Sequence, residues 1–178
     1  MSQILKNENL EIHIDLPNEN YNFSRFDWTG KITEVKFQNI SLSSVERIDC
    51  ENEHSFGKGF YNEFGIDTAL GFDDTEIGGW FHKIGVGLLK KDDNKYECTK
   101  SYEIIPAEFK VKTELNKIII ICKSKNVNGY SYILKKEIEL HKNNFTIKYY
   151  LHNTGEKDIS TDEYVHNFTA INKDLMGP

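Results

Sequence analysis

The strongest constraint on the fold is a strand–turn–strand pattern in the second half of the chain. From residue 130 to residue 141, apolar and charged side chains alternate, which is the period of a β-strand with one buried face. Residues 142–144 (Lys-Asn-Asn) have the composition of a turn, because asparagine tolerates positive φ angles. Alternation returns from residue 145 to residue 151, so this part of the chain predicts two antiparallel strands.

Similar alternation recurs in other segments. It is clear at residues 10–16 and 109–115 and weaker at residues 32–37. Residues 84–89 are apolar with two glycines, which favours a strand that another group approaches closely. Residues 159–171 are predicted to form a third strand after the two described above.

The rest of the sequence supports an all-β protein. Residues 48–80 are rich in glycine, aspartate and asparagine and are predicted to form long loops with one short strand. No segment has a convincing helical period, and there are only three prolines beside many aromatic residues. We therefore predict an antiparallel β-sandwich that forms a single domain over residues 1–178.

Composition and charge narrow the classes of partner. The formal net charge of −6 argues against nucleic acid or an anionic membrane as the main partner, because both bind surfaces rich in Lys and Arg. No membrane span or signal peptide is expected. Cys50, Cys98 and Cys122 are widely spaced and predict free thiols in a cytoplasmic protein. The histidine and cysteine spacings predict no metal site, and no cofactor is expected.

His166 is the first candidate for chemistry. In a strand without a bulge, it shares a face with Asp162, Tyr164 and Phe168, whereas Glu163 points to the opposite face. A histidine between aromatic residues and a carboxylate is a plausible general acid, because its pKa lies near neutral pH. The alternative is a structural histidine that is held by a hydrogen bond.

Several motifs carry a resemblance to a known family. The sequence Asn153-Thr154-Gly155, followed by Val165-His166-Asn167-Phe168, resembles a region of the aldose 1-epimerase (galactose mutarotase-like) family. Residues 25–35, 59–66 and 81–89 are similar to segments of an uncharacterised bacterial branch of that family. The resemblance spans most of the chain and corresponds to the N-terminal portion of the family's β-supersandwich, so the chain is predicted to be incomplete at its C-terminus.

This resemblance implies binding of a hexose in a wide cleft and interconversion of its α and β anomers. A histidine protonates the ring oxygen while a carboxylate removes the proton of the anomeric hydroxyl group. His166 matches the family's acid, whereas no counterpart of its downstream glutamate base remains after Pro178. Asp162 is the nearest carboxylate predicted on the same face. The chain is thus expected to be an aldose 1-epimerase-like isomerase, a non-catalytic carbohydrate-binding sandwich, or an inactive fragment of a longer epimerase.

Six further residues are candidates for sugar binding. Asn62-Glu63 is the nearest counterpart of the family's Asn-Arg pair, and His82 lies near the position of its early histidine. Glu63 and Lys83 each stand near a glycine where a ligand can approach, although surface charges in loops are the alternative. Arg25 and Asp27 are expected either to hold sugar hydroxyls or to pair with each other. The full set is Arg25, Asn62, Glu63, Trp80, His82 and Lys83.

The two tryptophans and the exposed sheet edges lead to two further expectations. Trp80 or Trp28 is expected to stack on a sugar ring or to pack in the core. An incomplete supersandwich exposes sheet edges and apolar faces, which favours a homodimer.

Overall fold

The computed structural model describes residues 2–47, 49 and 54–172, and these residues form β-strands and connecting loops without an α-helix. The strands within these described residues are β1 (Gln3–Lys6), β2 (Leu10–Asp15), β3 (Lys31–Phe37), β4 (Ile40–Ser41), β5 (Phe60–Phe64), β6 (Trp80–Lys83), β7 (Gly87–Lys90), β8 (Ile104–Pro106), β9 (Glu108–Thr113), β10 (Lys117–Lys123), β11 (Tyr132–Leu140), β12 (Phe145–Asn153) and β13 (Glu163–Asn167). No helix in the described ranges has the length and apolar character needed to cross a membrane.

The strands form three antiparallel sheets. The six-stranded sheet has the order β1-β2-β3-β5-β13, with β4 also paired to β3, and the four-stranded sheet has the order β12-β11-β10-β9. A third sheet contains β6, β7 and β8. The prediction of an all-β antiparallel sandwich is therefore confirmed.

The two larger sheets enclose an aliphatic core. β11 alternates strictly between buried and half-buried residues, as its sequence predicted, so that one face contributes to the interior. Burial of these apolar side chains is the main driving force for stacking the sheets. The buried members of this core are Leu5, Leu10, Ile12, Ile14, Ile32, Val35, Ile118, Ile120, Ile138 and Leu140.

An aromatic cluster joins the third sheet to the segment before β3. Phe26 and Tyr61 meet edge to face with ring centroids 5.1 Å apart, and Phe81 of β6 packs in the same cluster. Trp28 is buried here and its indole N–H donates to the carbonyl of Phe23, so Trp28 is a core residue. This cluster brings β6 and its terminal Lys83 close to β5.

Two predicted strands are present but differ in extent from the prediction. The third strand of the second half is shorter than predicted, and it pairs with β5 of the opposite sheet instead of extending the β11–β12 sheet. Residues 84–86 form a turn, and the strand begins only at Gly87, because Gly85 adopts a positive φ of 81°. β6 was not predicted, because its four residues follow a glycine-rich segment that indicated a loop.

A buried polar link joins the two large sheets. Lys136 lies on the buried face of β11 and donates to the carbonyl of Gly30 at 2.9 Å and to Asp27 Oδ2 at 3.4 Å. The hydroxyl of Tyr149 donates to the same Asp27 oxygen at 2.5 Å. Burial lowers the pKa of Lys136, and the charge of Asp27 opposes this effect. The amide of Asp27 also donates to the carbonyl of Asn62 on β5 at 2.9 Å, so Asp27 contacts strands of both sheets.

We predict that Gly85→Ala destabilises the fold more than Gly78→Ala. Both glycines have a positive φ, so each substitution costs about 1 kcal/mol from backbone strain. An added Cβ at Gly85 would lie 2.4 Å from Asp27 Oδ1, whereas nothing lies within 4 Å of one at Gly78. Urea unfolding of both variants measures the difference, which we expect to exceed about 2 kcal/mol because the buried Asp27 contacts break. Equal losses would contradict this role of Asp27.

Candidate functional site

The candidate site is built around the buried carboxylate of Glu63 on β5. Glu63 is 0% exposed, and its Oε2 atom lies 3.1 Å from Nε2 of His166 and 3.1 Å from Nε of Arg25. Its Oε1 atom lies 3.5 Å from Nζ of Lys83. Three of the site residues predicted from the sequence thus contact a fourth predicted residue, Glu63. We call Arg25, Glu63, Lys83 and His166 the Glu63 cluster.

Strand pairing explains how the cluster forms. In the register of β13 with β5, Tyr164 lies opposite Glu63 and His166 lies opposite Tyr61. Side chains that lie opposite or two residues apart share a face, so His166 and Glu63 point to the same side of the sheet. Lys83 reaches Glu63 from the end of β6. The cluster therefore depends on three strands and on the loop that carries Arg25, all distant from one another in sequence.

Neighbouring groups hold the two cations of the cluster. Arg25 also pairs with Glu46 at 3.0 Å and donates to the carbonyl of Ser55 at 2.7 Å. Lys83 donates to the hydroxyl of Tyr96 at 2.8 Å and to the carbonyl of Gly65 at 3.0 Å. Each cation thus has several acceptors, as buried charges require.

The electrostatics of the cluster favour an ionised Glu63. Burial raises the pKa of Glu63, but the hydrogen bond from His166 and the charges of Lys83 and Arg25 outweigh it, so the pKa lies below its ordinary value. Burial lowers the pKa of Lys83, and the charge of Glu63 opposes that shift. The carboxylate is therefore the anion that balances the buried cations around it.

Aromatic rings surround His166. Its ring meets Phe26 edge to face at 5.3 Å and stacks on Phe168 at 5.7 Å. Tyr164 lies 4.6 Å away by ring centroids. His166 is 8% exposed, whereas Tyr164 is 54% exposed. His166 is thus almost enclosed, and Tyr164 is an exposed ring in contact with it.

Other predicted site residues lie apart from the cluster. Asn62 points to the opposite side of β5, where it contacts Lys136 and donates to Glu163. His82 is buried against Tyr132, and this burial lowers the pKa of its ring, whereas the backbone groups of Val127 and Tyr130 oppose the shift.

Trp80 and Asp162 have different surroundings. Trp80 is half-buried, with the ammonium of Lys90 5.8 Å from its ring centroid. Asp162 is exposed just before β13, and its carboxylate accepts from the amide of Ile66 at 3.4 Å. The proposed Arg25–Asp27 pair is wrong, because Arg25 pairs with Glu63 and Glu46 while Asp27 pairs with Lys136. The loop-surface alternative for Glu63 and Lys83 is also wrong, since both are buried on strands.

Sequence reasoning missed three contributors to the cluster. Glu46 and Tyr96 come from loops without a distinctive pattern, and each supplies an oxygen to a buried cation. Cys98, which was predicted only as a free thiol, is half-buried beside Glu63. Burial and the charge of Glu63 raise the pKa of this thiol. No periodicity marks these positions, because only the tertiary fold brings them to Glu63.

An apolar groove lies elsewhere on the molecule. It has a volume of about 460 Å³ and lies beside Phe37, Phe60 and Phe145, and none of its lining residues belongs to the Glu63 cluster. Across the described part of the chain, no group of three or more His, Cys, Asp or Glu side chains is placed to hold a metal ion.

No known family model, no functionally described protein and no solved structure matches this chain. The resemblance to aldose 1-epimerases therefore stays a prediction.

We predict that Glu63→Gln destabilises the protein at neutral pH by about 3–5 kcal/mol, because it leaves buried cations without their anion. The folded-state pKa of Glu63 is lowered, so its stabilisation is present above its unfolded pKa and is lost as pH falls through the folded value. Chemical unfolding from pH 7 to pH 3 should show the two proteins converging at low pH.

The matched control is Glu46→Gln, which removes a carboxylate from the same Arg25 at a more exposed position. Its cost should be smaller than that of Glu63→Gln, because water replaces part of the lost interaction. If the two variants lose equal stability, Glu63 is not the central anion.

Lys31 is a second unusual charge on the same sheet. It begins β3 and is 1% exposed, and its ammonium has no hydrogen-bond partner within the described ranges. The ammonium lies 5.1 Å from the ring centroid of Tyr21. Burial lowers its pKa to about 8, although the charges of Asp27 and Asp15 oppose the shift.

We predict that Lys31→Met stabilises the fold at pH 7 by up to about 3 kcal/mol, which is the free energy equivalent to lowering the pKa of Lys31 to about 8. The folded pKa is lower than the unfolded one, so wild-type stability rises from about pH 8 to about pH 10. The advantage of Lys31→Met should disappear over that range in urea unfolding. Lys36→Met on the same strand is the control and should show no such trend, because Lys36 is partly exposed and paired with Glu34.

Proposed function

We propose that this protein binds a hexose sugar beside His166 and that His166 transfers a proton during interconversion of the sugar's anomers. The observation that supports the proposal is the contact between His166 and the buried, ionised Glu63. A carboxylate that accepts from one ring nitrogen orients a histidine and leaves the other nitrogen for proton transfer. The motif resemblance assigns the same position to the family's acid.

The exposed ring of Tyr164 beside the cluster suits contact with a sugar ring. Tyr164 presents an exposed aromatic face next to His166, and aromatic faces pack against the apolar side of pyranoses. In the proposed reaction His166 donates its proton to the ring oxygen, the ring opens, rotation about the C1–C2 bond follows, and the ring closes on the other face. Glu63 stabilises the protonated imidazole and does not itself contact the sugar.

A second group must accept the proton of the anomeric hydroxyl. Asp162 is the proposed base, because it is exposed and immediately precedes the strand that carries His166. The free thiols of Cys98 and Cys122 are compatible with the proposed cytoplasmic location.

A specific observation favours a second candidate, a carbohydrate-binding sandwich without catalysis. Arg25, Lys83 and His166 already satisfy the Glu63 carboxylate, so the cluster is electrostatically complete without a reacting partner. In that case His166 and Tyr164 form a recognition surface only. An inactive fragment of a longer epimerase is the third alternative from the sequence.

We predict that the protein accelerates mutarotation of glucose or galactose and that His166→Ala lowers the rate by about 10²–10⁴-fold, the usual contribution of a proton-transfer group. Polarimetry of freshly dissolved α-anomer measures the rate. His152→Ala is the matched control, because His152 is an exposed histidine on β12 of the other sheet. Circular dichroism confirms that both variants are folded.

Binding is measured separately by calorimetric titration with the same sugars. If mutarotation proceeds only at the rate of buffer, but the sugar binds saturably and His166→Ala weakens that binding, the protein is a carbohydrate-binding sandwich without catalysis. A buffer-level rate without binding would refute both.

A further inference from the structure

The strand that carries His166 also forms an open edge of the six-stranded sheet. β13 pairs with β5 on one side, and no described strand pairs with its other side. Phe60 and Phe64 of β5 pack on Phe145 and Tyr149 of β12, so β13 extends beyond the four-stranded sheet. Val165, on the inward face of β13, is accordingly 51% exposed.

The backbone groups on this edge can be assigned. The amide of Gly65 donates to the carbonyl of Asp162, and the amide of Phe168 donates to the carbonyl of Gly59. Even-numbered residues therefore direct their backbone toward β5. Because the direction alternates along a strand, Glu163, Val165 and Asn167 direct their N–H and C=O groups to the open edge. Such a row is a template for another strand.

We propose that β13 pairs antiparallel with β13 of a second copy of this chain. An antiparallel ladder must join edge-facing residues to each other, and the register centred on Val165 pairs all five residues of the strand. Glu163 then lies opposite the partner's Asn167, an acceptor opposite a donor. Val165 lies opposite the partner's Val165. No like charges face each other in this register, which is why a second copy fits the edge.

The pairing would change the surroundings of the Glu63 cluster. Tyr164 lies opposite the partner's His166 in a pair without mutual backbone hydrogen bonds, where side chains approach most closely. In the dimer each His166 would therefore lie beside two tyrosines, Tyr164 of its own chain and the partner's Tyr164. A five-residue ladder is small for a stable interface, so the dimer should be weak and dependent on concentration.

Sedimentation equilibrium of the full chain, over a series that extends to high micromolar concentrations, tests the register. Asn167→Glu places a carboxylate opposite Glu163 twice in the dimer and should weaken association by about tenfold. Asn167→Lys forms two ion pairs with Glu163 and should strengthen association. Asn167 is exposed, and both variants should melt at the wild-type temperature.

The control is Tyr150→Glu, which adds the same charge on β12, the edge strand of the other sheet. It should leave the association constant unchanged. A monomer at all concentrations would overturn the proposal. So would a dimer that is indifferent to both Asn167 substitutions, or one that Tyr150→Glu disrupts. The test involves no sugar, so its outcome is independent of the proposed activity.

Discussion

The buried carboxylate of Glu63 is the interaction on which the arrangement around β5 depends. It is fully enclosed and contacts Arg25, Lys83 and His166, which come from a loop and two further strands. A buried cation without an anion is costly, so the positions of these elements are coupled through one side chain. The same contact gives His166 a defined orientation, and this links the stability of the region to its proposed chemistry.

β5 separates two polar systems by the alternation of its side chains. Glu63 points toward the cluster, whereas Asn62 points between the large sheets toward Lys136. On that inner side Asp27 accepts hydrogen bonds from Lys136 and Tyr149 of the four-stranded sheet. Because Lys136 also contacts Asn62 on β5, polar contacts join the two sheets in addition to the aliphatic core. Buried polar networks of this kind favour one packing arrangement over others when all their members are satisfied. Lys31 is the exception, because its ammonium lacks a hydrogen-bond partner within the described residues.

Much of the β-structure was predictable because half-buried strands carry a period of two. β2, β9, β11 and β12 appear where alternation was found, and the face assignment of β13 holds because its register with β5 has no bulge. β6 and the turn before β7 were not predictable, since short strands among glycines carry too few residues to show a period. Arg25, Glu63, Lys83 and His166 were each singled out, yet their mutual contacts were not.

The sequence by itself determined the all-β class, the strands with clear alternation, and the residue types able to do acid–base chemistry. These follow from local geometry, because a side chain's face depends only on its position along the strand. The tertiary structure alone decided that β13 pairs with β5, that Glu63 is the common partner of three cationic or titratable groups, and that Glu46 and Tyr96 join them. Those contacts join residues far apart in sequence, and their energies depend on burial that no local pattern records.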